Sequence, residues 1–338
     1  MSPLREHPET RGPVIETRGL SREFTRRSGP WLRRGRTTLR AVDDLTVSIA
    51  AGSAVGYIGA NGAGKSTTIK MLIGILVPTT GAVRTCGLDP VAHRRRLAAR
   101  IGVVFGQRSG LWWDLPLAES FTLLAAIHRL DPARSGRRRD ELIERMDAGA
   151  FLTTPVRQLS LGQRMRGEVI AALLHEPELI VLDEPTVGLD VLSKEHLRRF
   201  LAAEVAEHGR TLLLTTHDMG DVERLCERVL VVDQGRLAFD GTIPGLIDAV
   251  GAQRVLVTDL DEPVDRIDPG PLARWLGAEN GGLRHRFAFT QGEVSAAEML
   301  ARVSGQASVR DLAIEEPAVE EVVRRLYAGR AGTPAPSA

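Results

Sequence analysis

The chain has 338 residues, a formal net charge of +1 and 43% hydrophobic residues, which is enough for two domains with sizeable cores. This nearly neutral balance gives no sign of a nucleic-acid partner, and no apolar run reaches the roughly 18 to 20 residues that a membrane-spanning helix needs. Residues 1–13 are polar and charged without an apolar segment, so they predict a disordered tail and not a signal peptide.

Charge and cysteine placement add two expectations. Residues 1–40 contain ten arginines and four glutamates, a net charge of +6, whereas residues 245–338 contain ten arginines and fourteen acids, a net charge of −4. The basic segment could face anionic lipid or nucleic acid, but a solvated arginine-rich loop is the simpler interpretation. Cys86 and Cys226 lack metal-binding spacing, so we expect reduced, buried thiols in a cytosolic protein.

The first predicted elements are strands that lead to a glycine-rich loop. Residues 14–20 and 41–49 read as antiparallel strands, and the arginine-rich residues 25–40 between them predict a mobile insertion. An apolar strand at 54–58 precedes Gly59-Ala60-Asn61-Gly62-Ala63-Gly64-Lys65-Ser66-Thr67, and a helical pattern follows. This order of strand, glycine loop and helix is typical of a phosphate-binding loop.

The residue types in this loop suit a polyphosphate and a metal ion. Glycines allow backbone N–H groups to turn inward around phosphate oxygens, and the following helix directs its positive end at the same charge. Lys65 would then reach the β and γ phosphates, and the Ser66 hydroxyl would bind Mg²⁺. A glycine-rich turn without a ligand is the other interpretation. It is weakened because Lys65 is one of only three lysines in a chain that otherwise uses arginine.

The middle of the chain alternates between strand and helix patterns. After a short strand at 82–88 and a helix at 92–100, an apolar strand at 101–105 ends in Gly106-Gln107. Residues 108–159 have a helical pattern and predict an all-α insertion, in which the arginines at 134–139 form an exposed link.

The next segments predict a parallel sheet and then a second domain. A continuous apolar strand at 178–184, a helix at 193–207 and a strand at 211–216 indicate a doubly wound, three-layer α/β sheet. From about residue 245 the pattern changes to that of a small α+β domain, followed by a second disordered tail at 329–338. Its predicted strands are 254–260, 284–290 and 309–314, and its predicted helices are 293–303 and 319–327.

Several polar residues follow the predicted parallel strands, where an open α/β sheet binds its ligand. Asp183 could hold Mg²⁺ and Glu184 could orient or deprotonate the attacking water, although such a pair can also form a strand-end turn or cap a helix. His217 could contact a γ-phosphate or could be a capping or core histidine. Gln107 offers a neutral amide to Mg²⁺ or water.

The motifs together resemble a known family. The segments GANGAGKST, Gln107, LSLGQ at 159–163, LIVLDEP at 179–185, GLD at 188–190 and His217 stand in the order of Walker A, Q-loop, signature, Walker B, D-loop and switch histidine. In this respect residues 14–240 closely resemble the ATP-binding cassette of ABC transporters. The resemblance implies a P-loop NTPase fold with a RecA-like core, an antiparallel β subdomain and a helical subdomain at about 108–165. The cassette would span 14–244, and 245–328 would form a C-terminal accessory or regulatory domain.

The family also implies residue roles, with ATP and Mg²⁺ as ligands. Phe24 looks like the aromatic residue that stacks on adenine, although it could be an ordinary core phenylalanine. Lys65, Gln107, Glu184 and His217 would act in hydrolysis, and Ser66, Gln107 and Asp183 would serve Mg²⁺. The remaining implied nucleotide contacts are Gly59, Asn61, Gly62, Ala63, Gly64, Thr67, Ser160, Gly162, Gln163 and Asp190. Family cassettes work as head-to-tail homodimers, so Ser160 and Gly162 would contact the nucleotide of a second copy.

One position departs from the family pattern. The usual signature is LSGGQ, and Leu161 replaces its first glycine here. Because Ser160 and Gly162 remain, we expect a working signature with altered packing.

Within the family, the chain is similar to the ATPase subunits of ABC-2 type exporters, such as those for daunorubicin resistance and viologen export. This similarity rests on the residues after Gln107, among them Trp112, Trp113 and Leu115, and on the final Asp311–Pro317 segment. The two tryptophans lie where a transmembrane permease subunit would dock, although they could also be subdomain core. A permease partner would hold the chain at the inner face of the membrane.

Two other functions remain open from the sequence. An importer ATPase shares every catalytic residue, and a soluble cassette ATPase could act on ribosomes or nucleic acid. Translation-type members carry two cassettes and DNA-repair members carry long insertions, and this chain has neither feature. The transported substrate is not specified by any motif.

Overall fold

Two compact units make up the computed structural model, and they divide after Asp240. The structure describes residues 12–28, 35–106, 109–290 and 292–331. The boundary predicted from the sequence, after residue 244, lies four residues further along the chain and inside the helix Ile243–Ala249. In the described ranges, no helix combines the length and apolarity that a membrane span requires.

The first unit contains nine strands and seven α-helices among its described residues. In chain order they are β1 (Ile15–Ser28), β2 (Gly35–Ile49), β3 (Ala54–Gly59), α1 (Lys65–Leu72), β4 (Thr80–Thr85), α2 (Arg94–Ala98), β5 (Ile101–Phe105), α3 (Leu117–Ile127), α4 (Pro132–Arg145), α5 (Leu161–Leu173), β6 (Leu179–Asp183), α6 (Val191–His208), β7 (Thr211–Thr215), α7 (Met219–Leu225), β8 (Arg228–Asp233) and β9 (Arg236–Gly241).

A six-stranded sheet with the order β5-β6-β7-β3-β8-β9 forms the centre of this unit. The strands from β5 to β8 in this order pair in parallel, and the residues of β6 and β7 are almost all buried. Continuous aliphatic sequence produces this arrangement, because a central parallel strand is covered on both faces. Asp183 pairs with Thr215 and Phe105 pairs with Asp183, so the carboxyl ends of three strands align at one edge.

A second sheet, with the order β2-β1-β4, is antiparallel. The pairing of β1 with β2 runs from Ile15 opposite Ile49 to Ser28 opposite Gly35. The predicted mobile insertion at 25–40 is therefore wrong where the structure describes it, since residues on both sides belong to one long hairpin. Exposed antiparallel strands accept arginine and threonine side chains, so polar composition did not exclude a strand.

Helices α3 and α4 lie in the predicted helical segment 108–159, but the arginines at 134–139 are not an exposed link. They lie within α4, which begins where the Asp131 side chain accepts a hydrogen bond from the Arg134 N–H at 2.8 Å. Arg138 is only 4% exposed and donates to Glu204 of α6 at 2.7 Å. Arg138 therefore lies in the core although its neighbours in sequence are charged, because Glu204 is a buried partner for its guanidinium.

The second unit is a small α+β fold, as predicted. Its elements are α8 (Ile243–Ala249), β10 (Arg254–Leu260), β11 (Ala273–Glu279), β12 (Arg284–Phe289), α9 (Ala296–Ser304), β13 (Val309–Glu315) and α10 (Val319–Ala331). The sheet order is β11-β12-β10-β13, and a core that includes Leu256, Phe287, Phe289 and Met299 lies on one face. Helix α10 continues into the predicted 329–338 tail, and neither α8 nor β11 was predicted.

The two cysteines are free and buried, as predicted. Burial raises the pKa of Cys86 to about 11 and that of Cys226 to about 12. Both side chains therefore stay as neutral thiols at physiological pH and act as small hydrophobic residues of the core.

Candidate functional site

The glycine-rich loop leaves β3 and enters α1 at one end of the central sheet. Gly64 precedes the helix with a φ of 99°, and a Cβ at this position would lie 2.2 Å from the Ala41 carbonyl oxygen. A Cβ at Gly59 would lie 2.6 Å from the carbonyl oxygen of Val232. Glycine is therefore required at both positions for the loop to pass so close to neighbouring backbone.

Lys65 is held inside this loop. Its side chain is 8% exposed, and Nζ donates to the carbonyl oxygens of Gly59 at 2.6 Å and Ala60 at 3.2 Å. Burial lowers the pKa of Lys65, while the charges of Glu184 and Asp183 oppose this shift. The loop thus presents a partly desolvated cation beside two carboxylates, and such a group interacts strongly with an incoming anion.

Asp183 joins three elements at the edge of the sheet. The Ser66 hydroxyl of α1 donates to its Oδ2 at 3.4 Å, and the Thr215 hydroxyl at the end of β7 donates to its Oδ1. Carboxylate and hydroxyl oxygens are hard ligands of the kind that Mg²⁺ prefers. The residues present therefore fit a magnesium ion at this edge.

Glu184 and His217 lie next to each other on neighbouring loops. Glu184 Oε1 is 3.4 Å from His217 Nδ1, and the side chains are 24% and 64% exposed respectively. The exposed imidazole does not fit the alternative of a core histidine. Glu184 has a φ of 55°, which is unusual for a residue with a side chain.

A second group of predicted residues lies at the amino-terminal ends of α5 and α6. Ser160 and Gln163 form a capping box on α5, and Asp190 caps α6 by accepting from the Ser193 N–H at 2.9 Å. A Cβ on Gly162 would be 3.0 Å from Ser193 Oγ. The signature segment and the GLD segment of the same chain are therefore packed together.

Leu161 occupies space beside the GLD segment. A Cβ on Gly188, which has a φ of 74°, would lie 2.6 Å from Leu161 Cδ2. The leucine that replaces the family glycine thus packs against a glycine that has no side chain to oppose it.

Two further predicted site residues are Phe24 and Gln107. Phe24 of β1 is 36% exposed and has the Arg22 guanidinium 4.7 Å from its ring centroid, which does not fit an ordinary core phenylalanine. Gln107 lies outside the described residues.

Sequence reasoning missed three residues that support this site. The Thr215 hydroxyl donates a hydrogen bond to Asp183, and the Thr186 hydroxyl donates one to Asp221. Thr186 lies two residues after Glu184, and Asp221 lies four residues after His217. Threonines at strand ends and an aspartate on a helix are common in any chain, so no local signal distinguished them.

Comparison with known proteins gives consistent results. A family model described as ABC transporter matches residues 42–187. Nod factor export ATP-binding protein I of Ralstonia nicotianae is 35% identical over 271 residues, with 79% of each chain covered. The daunorubicin/doxorubicin resistance ATP-binding protein DrrA of Streptomyces peucetius is 34% identical, with 73% of each chain covered.

Solved structures agree with these relatives. An ATP-binding subunit of an ABC transporter is 28% identical and has a TM-score of 0.61 over 70% of this chain and 93% of that chain. A bacterial ABC transporter cassette solved as a dimer is 25% identical and has a TM-score of 0.59 over 68% of this chain and 98% of that chain. The resemblance inferred from the motifs is confirmed: the chain belongs to the ABC transporter family, in which it is an ATP-binding subunit that hydrolyses ATP.

Proposed function

We propose that this chain powers an ABC-2 type exporter by driving a drug-like or other small substrate through a separate membrane subunit. The observation that carries the proposal is the convergence of Lys65, Ser66, Asp183, Glu184 and His217 at one edge of the parallel sheet. The names of the relatives, Nod factor export and daunorubicin resistance, support export over import.

Nucleotide binding would begin at the glycine loop. Residues 59–67 would surround the phosphates with backbone N–H groups, and Lys65 would supply the cation. Ser66 and Asp183 would hold Mg²⁺, together with Gln107, and the ion when bound would neutralise charge on the phosphates. The exposed ring of Phe24 would stack on adenine.

Hydrolysis would depend on Glu184 and His217. Glu184 would orient the attacking water and accept its proton, because its carboxylate is partly exposed beside Asp183. His217, 3.4 Å from that carboxylate, would contact the γ-phosphate. Both side chains occupy the open edge where a phosphate held by Lys65 would project.

A second copy of the chain would complete each site. Ser160, Gly162, Gln163 and Asp190 would contact the nucleotide bound by the partner cassette, in a head-to-tail homodimer. Exposed apolar surface beside Asp190 supports this contact, because Val191 and Leu192 are 82% and 81% exposed. Dimer formation would cover these two side chains.

The permease would dock on the segment that follows Gln107. Trp112 and Trp113 are 37% and 51% exposed, which favours docking over the alternative of subdomain core. A cavity of about 300 Å³ reaches this segment at Gly110, and its lining also includes Ile75, Phe105 and Leu124. The Arg164 guanidinium of the signature helix α5 lies 5.7 Å from the Trp113 ring, so this surface is in contact with α5.

Docking of this kind would place the chain in the cytoplasm, on the inner face of the membrane. The second unit, from Gly241 onward, would have an accessory role in regulation or in stabilising the dimer. Its separate core and its net negative charge are consistent with a module distinct from the catalytic unit.

The test is co-purification from membranes with the multi-span protein of the neighbouring gene, together with ATP hydrolysis assays of wild type and Glu184→Gln. We expect the multi-span protein to be recovered with both chains. Turnover should fall at least about 100-fold in Glu184→Gln, which should accumulate as an ATP-bound dimer.

Glu178→Gln is the matched control, because Glu178 precedes the other end of β6 and pairs with Arg100 on an exposed surface. This control should keep the wild-type rate. Recovery with ribosomes or nucleic acid and without a membrane protein would contradict the transporter role and leave only the ATPase chemistry.

A further inference from the structure

We propose that Asp221 is a positioning residue that fixes the loops of Glu184 and His217 to each other, with Thr186 as its contact to the Glu184 loop. This inference rests on the proposed roles of Glu184 and His217. Asp221 lies in α7 and is fully buried. It contacts neither of those two side chains in the described structure, so its effect on hydrolysis would be indirect.

The carboxylate of Asp221 connects three segments of the chain. Oδ2 accepts hydrogen bonds from the hydroxyls of Thr186 and Thr216, the latter at 3.3 Å. Oδ1 accepts from Arg198 Nε at 2.7 Å. The loop after β6, the loop after β7 and helix α6 therefore meet on a single side chain.

Charge pairing explains how a carboxylate can be buried here. The Arg198 guanidinium compensates Asp221 directly, and it also lies 3.5 Å from Asp218. Asp218 in turn accepts from Lys194 Nζ at 2.6 Å. Removing one member of such a network strongly destabilises the folded state, because another charge is then left buried without its partner. The contacts therefore favour one arrangement of the two loops.

Glu184 needs this support because its backbone conformation is unfavourable. A φ of 55° lies in the left-handed region, where a Cβ is crowded by the neighbouring carbonyl oxygen. The Glu184 N–H donates to the Thr215 carbonyl at 2.8 Å, and Thr186, 2% exposed, anchors the chain two residues later. Between these anchors the Glu184 side chain is held toward the open edge of the sheet.

The same carboxylate restrains His217. Thr216 immediately precedes this histidine, and its hydroxyl both donates to Asp221 and accepts from the Asp218 N–H at 2.9 Å. The 3.4 Å separation of Glu184 and His217 is thus maintained by anchors on both sides. Loosening either anchor should impair the catalytic step, whereas nucleotide binding by the glycine loop should persist.

Thr186 offers the sharpest test, because replacing Asp221 would leave Arg198 unpaired and could unfold the chain. Thr186→Val keeps the shape and removes the hydroxyl, and Thr186→Ser keeps the hydroxyl. Steady-state ATP hydrolysis by the full chain gives kcat and KM for MgATP. We expect Thr186→Val to lower kcat roughly tenfold or more with KM changed less than about twofold, and Thr186→Ser to retain most of the wild-type kcat.

Thr258→Val is the matched control. Thr258 is fully buried in the second unit, and its hydroxyl has no hydrogen-bond partner in the described structure. The same substitution there should leave kcat unchanged. The inference is overturned if Thr186→Val keeps the wild-type kcat, or if Thr186→Ser loses as much activity as the valine variant.

Glu184→Gln separates this inference from the proposed function. If Glu184→Gln keeps its turnover, the proposed role of Glu184 fails and the inference fails with it. If Glu184→Gln loses turnover while Thr186→Val does not, the proposed function stands and only the positioning role is contradicted.

Discussion

At the scale of single residues, Gly62 and Gly64 of the phosphate loop face different constraints. Both have positive φ, 84° and 99°. A Cβ on Gly62 would meet nothing within 4 Å, whereas a Cβ on Gly64 would lie 2.2 Å from the Ala41 carbonyl oxygen. Backbone conformation alone favours glycine at the first position, and conformation together with a backbone contact requires it at the second.

These two glycines give a matched pair of substitutions. Gly62→Ala should cost roughly 1 to 2 kcal/mol of unfolding free energy, because only the left-handed conformation is penalised. Gly64→Ala should cost clearly more, since the Ala41 backbone must also move. Thermal unfolding of the two variants measures the difference. Equal midpoints would show that the backbone around Ala41 adjusts freely.

The structure explains how the chain accommodates Leu161, the residue that departs from the family motif. The leucine packs against Gly188, and the glycine's lack of a side chain provides the space. The sequence alone predicted altered packing but could not name the neighbour. Gly188 is 27 positions away along the chain, and only the folded loops bring the two together.

At the scale of elements, the carboxyl-terminal ends of α3 and α5 meet through two histidines. His128 and His175 stack with ring centroids 4.1 Å apart, and His175 Nε2 bonds the Ile101 carbonyl oxygen at 2.8 Å. Burial, with smaller contributions from His128 and Arg210, lowers the pKa of His175 from 6.5 to about 4. The folded state therefore prefers the neutral imidazole.

Stability should fall on acidification because of this pair. Between pH 6.5 and 4 the unfolded chain binds a proton that folded His175 does not, so stability present above pH 6.5 is lost as the pH falls. The full effect, reached below the folded pKa, is roughly 3 kcal/mol. Thermal midpoints measured from pH 7 to 4 should fall less steeply for His175→Gln than for wild type. His93→Gln, on an exposed turn, should follow wild type, and parallel curves for wild type and His175→Gln would contradict the prediction.

At the scale of the whole molecule, each of the two units has its own hydrophobic core. Because the units divide after Asp240, Thr242 belongs to the second unit together with α8, the helix that it caps. The Thr242 hydroxyl accepts a hydrogen bond from the Gly245 N–H at 3.2 Å. Leu246 of α8 is fully buried, and α8 packs against α10 of the same unit.

A fragment of residues 241–338 should therefore fold by itself, with cooperative thermal unfolding and near-ultraviolet dichroism from Trp275. A fragment of residues 245–338 lacks Thr242 and should be less stable by about 1 kcal/mol or more. Urea unfolding of the two fragments measures this difference. Equal stability would indicate that the predicted boundary after residue 244 is adequate, and a fragment of 241–338 that does not fold would contradict the independence of the unit.

The sequence by itself determined the fold class, the family and the order of the site segments. Phosphate binding needs a strand, a glycine loop and a helix that are contiguous in the chain, and buried parallel strands need continuous apolar runs. Both requirements are local and can be read without coordinates. Strand ends also predicted that Lys65, Asp183, Glu184 and His217 would converge, because parallel strands present their carboxyl ends at one edge.

Only the tertiary structure decided which polar residues are partners. Thr186 and Asp221 are 35 positions apart, and Arg138 and Glu204 are 66 apart, yet each pair shares a buried hydrogen bond. Nothing in local composition marks such residues, because a buried charge is stable only with a partner that folding supplies. The full length of the β1–β2 hairpin was not predicted for the same reason. Its polar residues belong to strands because they pair across the sheet, and their sequence has no strand pattern of its own.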